Sequence, residues 1–411
     1  MSDMFKKDSS LKQEIIKKKI NQMLPKALEE LQIDCWLTIT RESAIDPISY
    51  DLAASGAVAR MALLFYLKEG KFHKIAIAAS YDVTPLIESK IYDEVISYKT
   101  EGIKPHIVDL LEKINPNKIA LNYSKEQPLA DGLTYGMMNY LIDILGEKYK
   151  ERFVSSEDII TYYRSIKLKE EIELIEKAVL ITQKILDECL SSDFIKPNIT
   201  TEADLGKALE EKTKANSCTV AFTIVNVGAC RGHSTPTEKK ILYGDLIRID
   251  FGVDYFGYKS DIQRTAYVLK PGETKVPDKI QKMWDIVLKA NMEGMKKLKT
   301  GYVGNDSDSV ARKIIVDAGY SEYPHAGGHP IGFDVHDIGA ILGPNWPERY
   351  GDKIFKKLIK GQTYAWEPTI YVYDQEVDGE LSIGLEEDII ITDDQPIIIG
   401  KPQTEIYLIK G

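Results

Sequence analysis

Residues 247–268 read IRIDFGVDYFGYKSDIQRTAYV and predict a β-hairpin that carries two acidic side chains. The first half is rich in β-branched and aromatic residues, and a glycine marks a turn before the second strand. If the turn is centred just after Tyr255, Asp250 and Asp261 lie directly opposite each other, with their Cβ atoms about 5 Å apart. Opposed carboxylates repel, so an apolar hairpin that holds both is expected to bind a compensating metal ion. Two solvated turn carboxylates are the alternative.

The composition of the chain limits the classes of protein to which it can belong. Its 411 residues suffice for two or three domains, and 44% hydrophobic with 28% charged residues is typical of a soluble globular protein. The net charge of −10 argues against nucleic acid or an anionic membrane as a partner, because both require a basic face. Four cysteines without CxxC spacing and no apolar signal segment predict a cytoplasmic protein with reduced thiols.

Residues 1–160 predict an α/β domain. Strand-like runs alternate with helical patterns, which indicates a largely buried sheet. The strand-like runs are residues 35–40, 60–67, 74–79 and 118–121. The sequence of this domain shows no glycine-rich phosphate loop and no cluster of histidines or cysteines, so it predicts no chemistry there.

Residues 161–411 predict a second domain made of two similar halves. A helical pattern runs from about Leu168 to Leu190, Thr201 caps another helix, and strand-like segments follow as far as Val268. The order helix, helix, antiparallel strands then repeats up to Leu408. This repeated order predicts two halves that close around one shared core, although no residue-level repeat is visible.

A second concentration of possible ligands lies in HAGGHPIGFDVHDIG, residues 325–339. It holds three of the six histidines of the chain, His325, His329 and His336. The glycines and Pro330 argue against a helix and allow the backbone to approach a ligand closely. A single loop histidine is usually a surface residue, but three clustered in a histidine-poor chain favour a functional site.

Two acidic residues complete the candidate ligand set. Glu367 lies in TYAWEPTIYVY and Glu386 in LSIGLEEDIIIT, so both carboxylates are expected to be poorly solvated. Since a buried unpaired carboxylate costs several kcal/mol or becomes neutral, metal coordination is the favoured interpretation. Glu387 and Asp388 are expected to form a strand end that faces water. The complete set of candidate ligands is Asp250, Asp261, His329, Glu367 and Glu386. Four carboxylates and one imidazole suit divalent metal ions of hard or borderline character.

These stretches resemble the pita-bread metallopeptidases, in the branch that contains aminopeptidase P, prolidase and creatinase. The matching motifs are DFGVDYFGYKSDIQRT, GHPIGFDVHD, EP-x-x-Y from Glu367 and EEDIIIT from Glu386, in the order of the family. The resemblance covers about residues 163–407. It implies a creatinase-like α/β N-terminal domain, residues 1–160, and an α+β pita-bread catalytic domain, residues 161–411, with two pseudo-symmetric halves.

The resemblance also implies a dinuclear metal site. Asp250 would chelate one divalent ion, and Asp261 and Glu386 would bridge both ions. His329 and Glu367 would bind the second ion. Mn²⁺ is the first choice for the metal, and Co²⁺, Zn²⁺ or Fe²⁺ would also suit these ligands. Glu367 would in addition carry a proton from the attacking water to the leaving amine, as general base and then general acid.

Three histidines are implied to contact the substrate. His336 would lie against the scissile carbonyl and stabilise the oxyanion, and His233 would help to hold the substrate. His325 matches a further active-site histidine of the aminopeptidase P pattern. From the residues alone, His233 also fits a surface turn, because Ser-Thr-Pro follows it.

The function implied by the resemblance is that of a metal-dependent exopeptidase, an Xaa-Pro aminopeptidase or Xaa-Pro dipeptidase, acting on short peptides as a homodimer. Two departures limit the expected substrate range: the first weakens the expectation of strict proline selectivity, and the second is expected to alter the shape of the substrate wall. Gly384 stands where proline-directed members carry an arginine, and Pro330 follows the metal histidine where glycine is common. A creatinase-like amidinohydrolase is the enzymatic alternative, although that branch lacks the metal set. A non-catalytic pita-bread module that binds a peptide or a protein is the alternative from another class.

Overall fold

A computed structural model describes residues 2–410 of the chain. By the contacts between residues, the chain divides into two compact units, Met1–Arg164 and Ser165–Gly411. The boundary expected after residue 160 falls inside a helix, Glu157–Ser165, and the units divide near the end of that helix. None of the helices in the described part of the chain has both the length and the apolar character needed to cross a bilayer.

The first unit is built on a six-stranded mixed sheet. Its helices are α1 (Ser2–Glu30), α2 (Val83–Ser89), α3 (Lys104–Ile114), α4 (Tyr135–Leu145), α5 (Glu147–Lys150) and α6 (Glu157–Ser165). Its strands are β1 (Cys35–Thr40), β2 (Met61–Lys68), β3 (Lys71–Ala79), β4 (Glu94–Tyr98), β5 (Ile119–Leu121) and β6 (Phe153–Ser155). The strand order is β4-β3-β2-β1-β5-β6, in which β2 is antiparallel to both of its neighbours and the other pairs are parallel.

The central strands of this sheet are mostly apolar and almost completely buried. All six residues of β1, CWLTIT, are buried, as are the first six of β2, MALLFYLK. Strands that are covered on both faces show this continuous pattern in place of alternation. The four strand-like runs predicted in this unit are confirmed as β1, β2, β3 and β5. The short strands β4 and β6 were not predicted, because EVISY lacks a regular apolar pattern and β6 has three residues.

The second unit contains the order helix, helix, strands twice, as predicted. The first half consists of α7 (Lys169–Cys189), α8 (Glu202–Ala215), β7 (Thr219–Val227), β8 (Leu246–Tyr255), β9 (Tyr258–Lys259) and β10 (Ile262–Val268). The second half consists of α9 (Asp278–Met295), α10 (Gly304–Asp317), β11 (Gly328–Pro330), α11 (Pro347–Tyr350), β12 (Thr363–Trp366), β13 (Thr369–Asp374), β14 (Gly379–Gly384), β15 (Glu387–Ile390), β16 (Ile397–Ile398) and β17 (Tyr407–Ile409).

The strands of the two halves are joined at several points. The first half forms a sheet of order β17-β10-β8-β7, in which β9 pairs with β8. The second half forms a sheet of order β11-β12-β15-β16 and a hairpin of β13 and β14. Strand β17 comes from the end of the chain and pairs with β10, and an isolated bridge connects Gln263 to Glu386. The ligand-bearing strands of both halves are therefore held together.

The hairpin of β8 and β10 has a different register from the predicted one. Asp250 pairs with Gln263, which places the centre of the turn one residue later, between Phe256 and Gly257. Both turn residues have positive φ, +56° and +89°, as the type I′ form of a two-residue hairpin loop requires. Asp250 and Asp261 are consequently diagonal neighbours, and the prediction that they lie directly opposite each other is wrong. They remain on one face of the sheet, because the pairing shifts by an even number of residues.

Candidate metal centre

A cleft of about 920 Å³ in the second unit is lined by every predicted site residue. Clefts of this volume are typical of sites for small ligands. Both halves contribute to it, since the hairpin of β8 and β10 provides one wall and the strands β11, β12 and β15 carry or adjoin the other ligands. The predicted residues that line the cleft are His233, Asp250, Asp261, His325, His329, His336, Glu367 and Glu386.

Three carboxylates in the cleft face one another with too few hydrogen-bond donors. Asp250 Oδ1, Asp261 Oδ1 and Glu386 Oε2 are all buried and have no hydrogen-bond partner in the described part of the chain. Burial raises the pKa of Asp261 and of Glu386 well above the usual range, and the charges of neighbouring carboxylates act in the same direction. Each unsatisfied buried acceptor costs about 1–3 kcal/mol. The cluster is therefore stable only with bound protons or a bound cation.

His329 adds an imidazole nitrogen to this cluster. Its Nε2 atom lies 3.4 Å from Asp261 Oδ2 and 4.0 Å from Glu367 Oε1. Its Nδ1 atom lies 3.1 Å from the carbonyl oxygen of Pro330, which assigns the proton to Nδ1 and leaves the lone pair of Nε2 facing the carboxylates. Ligand atoms of Asp261, His329 and Glu386 all lie within 4.8 Å of one another. These oxygen and nitrogen donors fit a divalent metal ion.

Glu367 lies at the more open edge of the cluster. It directly follows β12, and its backbone N–H donates to the carbonyl of Gly327. Its side chain retains 21% exposure, compared with 1% for the Glu386 residue. Burial raises the pKa of Glu367 to about 8, and the charges of Asp250 and Asp261 act in the same direction. Glu367 can therefore contact both the cluster and a molecule in the cleft.

Two further acids next to the cluster are buried, although a water-facing strand end was expected. Glu387 and Asp388 are 1% and 0% exposed. Arg264 donates to Glu387 Oε2 at 3.0 Å, and the backbone N–H of Asp261 donates to Asp388 Oδ2 at 2.9 Å. The prediction was wrong because these donors lie far away in the sequence. Arg264 also donates to the carbonyl of Glu386 at 3.0 Å, so it fixes the backbone of a candidate ligand.

The remaining histidines line the cleft beside the cluster. The ring of His336 packs edge-on to that of His329, with centroids 4.3 Å apart. Burial lowers the pKa of His336 to about 4, and His329 and His233 act in the same direction. Burial also lowers the pKa of His325 to about 4. His233 is exposed on the loop that follows β7. Neutral imidazoles at positions 325 and 336 can donate or accept hydrogen bonds.

The segment that carries His336 is fixed by the acid that follows it. Asp337 Oδ1 accepts from the backbone N–H of Ile338 at 2.9 Å, and Asp337 Oδ2 accepts from Lys167 Nζ at 2.9 Å. The side chains of this ion pair are each 1% exposed. A buried and hydrogen-bonded pair of this kind limits the positions that His336 can adopt.

The sequence reasoning missed several residues that line the cleft, namely Arg248, Gln263, Tyr371, Cys230 and Arg349. Strand periodicity could have identified two of them. Arg248 stands two residues before Asp250, and Gln263 two residues after Asp261, so each shares a sheet face with a candidate ligand. At Gly384 a Cβ atom would lie 2.1 Å from Gln263 Oε1. An arginine at position 384 would therefore require Gln263 to move.

Comparison with known proteins gives three concordant results. The model of metallopeptidase family M24 matches residues 173–393. An uncharacterized peptidase of Staphylococcus saprophyticus is 30% identical over 306 residues, which are 73% of this chain and 80% of the relative. The Xaa-Pro dipeptidase of Pyrococcus furiosus is 30% identical over 288 residues, which are 66% of this chain and 75% of that enzyme.

The fold also matches that of solved structures. The Xaa-Pro dipeptidase from Bacillus anthracis superimposes with a TM-score of 0.69 at 25% identity, over 96% of this chain and 99% of that one. The expected architecture, a creatinase-like α/β domain followed by a pita-bread domain with two similar halves, is thereby confirmed.

Proposed function

From the premise that this chain belongs to metallopeptidase family M24, we propose that it is a metal-dependent exopeptidase of the Xaa-Pro aminopeptidase or Xaa-Pro dipeptidase type. The observation that carries the proposal is the group of buried carboxylate oxygens beside His329 that have no hydrogen-bond partner in the described chain. The names of the Pyrococcus furiosus and Bacillus anthracis relatives support an Xaa-Pro substrate. The volume of the cleft suits a short peptide.

Two divalent ions are the proposed cofactor, and Mn²⁺ is the proposed metal. An oxygen-rich set with one imidazole suits Mn²⁺, as it does Co²⁺, Zn²⁺ and Fe²⁺. The four carboxylates would balance the charge of two dications. When bound, the ions supply Lewis acidity and lower the pKa of a water molecule, which can then attack the peptide carbonyl. The proposed ligands are Asp250, Asp261, His329, Glu367 and Glu386.

The side chains of the cleft have separate tasks in this reaction. Glu367, at the open edge of the cluster, accepts a proton from the attacking water and donates it to the leaving nitrogen. A ring N–H of His336 donates to the oxyanion that develops on the carbonyl oxygen. His233 and His325 bind the substrate. Arg264 keeps Glu386 in place through its carbonyl group.

Two further features are proposed, one from the resemblance to the family and one from the composition of the sequence. The first is a homodimer, for which light scattering should give twice the mass of one chain, and the mass of a single chain would contradict it. The second is a cytoplasmic location, which stays a prediction from the sequence.

A panel of peptides tests the proposed activity. Enzyme reconstituted with Mn²⁺ is incubated with matched Xaa-Pro and Xaa-Ala peptides, and the products are separated by chromatography. We expect cleavage of the first peptide bond of the Xaa-Pro members, loss of this activity with a chelator and its recovery on addition of Mn²⁺. A panel that stays intact under all of these conditions would contradict the proposal.

A further inference from the structure

Arg248 is a buried cation that lines the cleft. It lies on β8 two residues before Asp250, so both side chains project from the same face of the sheet. The residue is 5% exposed, and its Nε atom is buried without a hydrogen-bond partner among residues 2–410, which the structure describes. Its Nη1 atom lies 3.5 Å from the hydroxyl oxygen of Tyr371, which is at the limit of a hydrogen bond. A guanidinium group offers five N–H donors, so most of its capacity is unused.

The other buried arginine of the same hairpin, Arg264, provides a comparison because its guanidinium group is hydrogen-bonded within the protein. Arg264 is 2% exposed and forms an ion pair with Glu387 at 3.0 Å. It also donates to the carbonyls of Gln263, Glu386 and Lys401 at 3.0–3.2 Å. Arg264 therefore has a structural role. Arg248 lacks comparable partners within the described residues, and a buried charge of this kind calls for an anion.

The acids near Arg248 do not supply that anion. Asp250 belongs to the proposed metal ligands, and its charge is balanced by the ions that we propose. Glu380, which also lines the cleft, is exposed to solvent at the rim. His325, also in the wall, lies 3.3 Å from the hydroxyl group of Tyr371 through its Nε2 atom, but an imidazole carries no negative charge whether or not it is protonated. A negatively charged ligand group remains as the partner.

We infer that Arg248 binds the C-terminal carboxylate of the substrate and thereby selects a dipeptide. The inference rests on the proposed peptidase function. The fork of a guanidinium group matches both oxygens of a carboxylate. Alternate residues on one strand face are about 7 Å apart, roughly the length of two extended residues. A dipeptide can therefore reach from the ligand cluster near Asp250 to Arg248. A longer peptide would bring a neutral carbonyl to Arg248 and leave its charge unpaired.

The test compares two substrates that differ only in this charge, Ala-Pro and its C-terminal amide. We expect the wild type to prefer the acid by about 10- to 100-fold in kcat/KM, as the loss of charge-assisted hydrogen bonds predicts. Arg248→Met should remove this preference by slowing cleavage of the acid alone, mainly through KM. Arg248→Lys should retain part of the preference, because it keeps the charge without the fork. Arg349→Met changes an exposed arginine of the same cleft and should leave the ratio unchanged.

Binding of a product distinguishes failure of this inference from failure of the proposed function. Calorimetry with L-proline and L-prolinamide needs no turnover, and we expect the wild type to bind the acid at least about 10-fold more tightly. The Arg248→Met variant should bind both compounds equally. If the wild type cleaves acid and amide at equal rates and the variant slows both alike, Arg248 positions Asp250 and Tyr371, and the inference is wrong while the peptidase stands. A protein that cleaves neither substrate yet binds proline through Arg248 would refute the peptidase and support the carboxylate site.

Discussion

The two compact units each contain a buried acidic site, and the two sites differ in how their charge is satisfied. In the first unit, Asp46 is completely buried. Its Oδ1 atom accepts from the backbone N–H of Ile48 at 3.2 Å, and its Oδ2 atom accepts from Asn122 Nδ2 at 2.7 Å. Asn122 Oδ1 accepts in turn from Trp36 Nε1 at 2.8 Å and from the hydroxyl of Ser156 at 2.6 Å. The protein itself provides every partner in this network.

The cluster in the second unit is different, because its acids face one another. Asp250, Asp261 and Glu386 each keep one buried oxygen that has no partner among the residues described by the structure. Nearby donors such as Arg264 are directed to backbone carbonyls and to Glu387. A closed polar network stabilises a fold, whereas a group of open acceptors is suited to bind a cation. This difference distinguishes Asp46 from the three clustered acids without reference to any relative.

Matched substitutions in the two sites provide the strongest test of this comparison. Asp261→Asn removes a charge that the proposed ions require, so we expect turnover to fall by more than about 10³-fold, a larger loss than that of a single oxyanion donor. Elemental analysis should show less bound metal, while circular dichroism shows an intact fold. Asp46→Asn also removes a buried charge, but its bound metal and turnover should stay at the wild-type level.

Equal metal content in wild type and Asp261→Asn would show that Asp261 is not a ligand. A loss of metal in Asp46→Asn would remove the distinction between the two sites.

Within the second unit, a substitution of His336 distinguishes residues that bind the metal from residues that contact the substrate. Its ring packs against His329 but is not part of the proposed ligand set. His336→Ala should lower kcat about 10²- to 10³-fold, as the loss of an oxyanion donor does, and should leave metal content unchanged. Steady-state kinetics with elemental analysis of the same samples measures both quantities. A parallel loss of metal and activity would place His336 among the ligands.

Addition of metal should stabilise the second site and leave the first unaffected. A ligand that binds only the folded state stabilises it by about 2.7 kcal/mol at a concentration of 100 Kd. Thermal unfolding monitored with and without Mn²⁺ should show this increase in the wild type and in Asp46→Asn. In Asp261→Asn the increase should be absent, and the same increase there would show that the ions bind elsewhere.

The smallest effect concerns the pH dependence of the first unit. Burial raises the pKa of Asp46 from 3.8 to about 6 in the folded state. The folded state therefore binds a proton at Asp46 more readily than the unfolded state does. Protonation of Asp46 stabilises the folded state at low pH, and this stabilisation is lost as the pH rises through about 6. Lowering the pH from 7 to 5 should stabilise the wild type by about 1 kcal/mol relative to Asp46→Asn. Urea unfolding at both pH values measures this difference, and equal pH dependence of the two proteins would contradict it.

Much of the second unit could be predicted from sequence, because each candidate ligand is a polar residue within an apolar strand or beside glycines. The order of helices and strands followed from hydrophobic periodicity together with the helix cap at Thr201. The register of the hairpin could not be predicted, since it depends on Phe256, a residue other than glycine, adopting a positive φ. The burial of Glu387 could not be predicted either, because its partner Arg264 lies 123 positions away. Arg248 was overlooked because a cation in a strand has no ligand pattern.

Anomalous diffraction from crystals grown with Mn²⁺ tests most directly whether the carboxylate cluster of the second unit binds metal. Data collected at the manganese absorption edge should show two peaks in the cleft, within coordination distance of Asp261 and Glu386, and no peak at Asp46. A map without density between Asp261, Glu386 and His329 at saturating Mn²⁺ would contradict the assignment of this cluster as a metal centre.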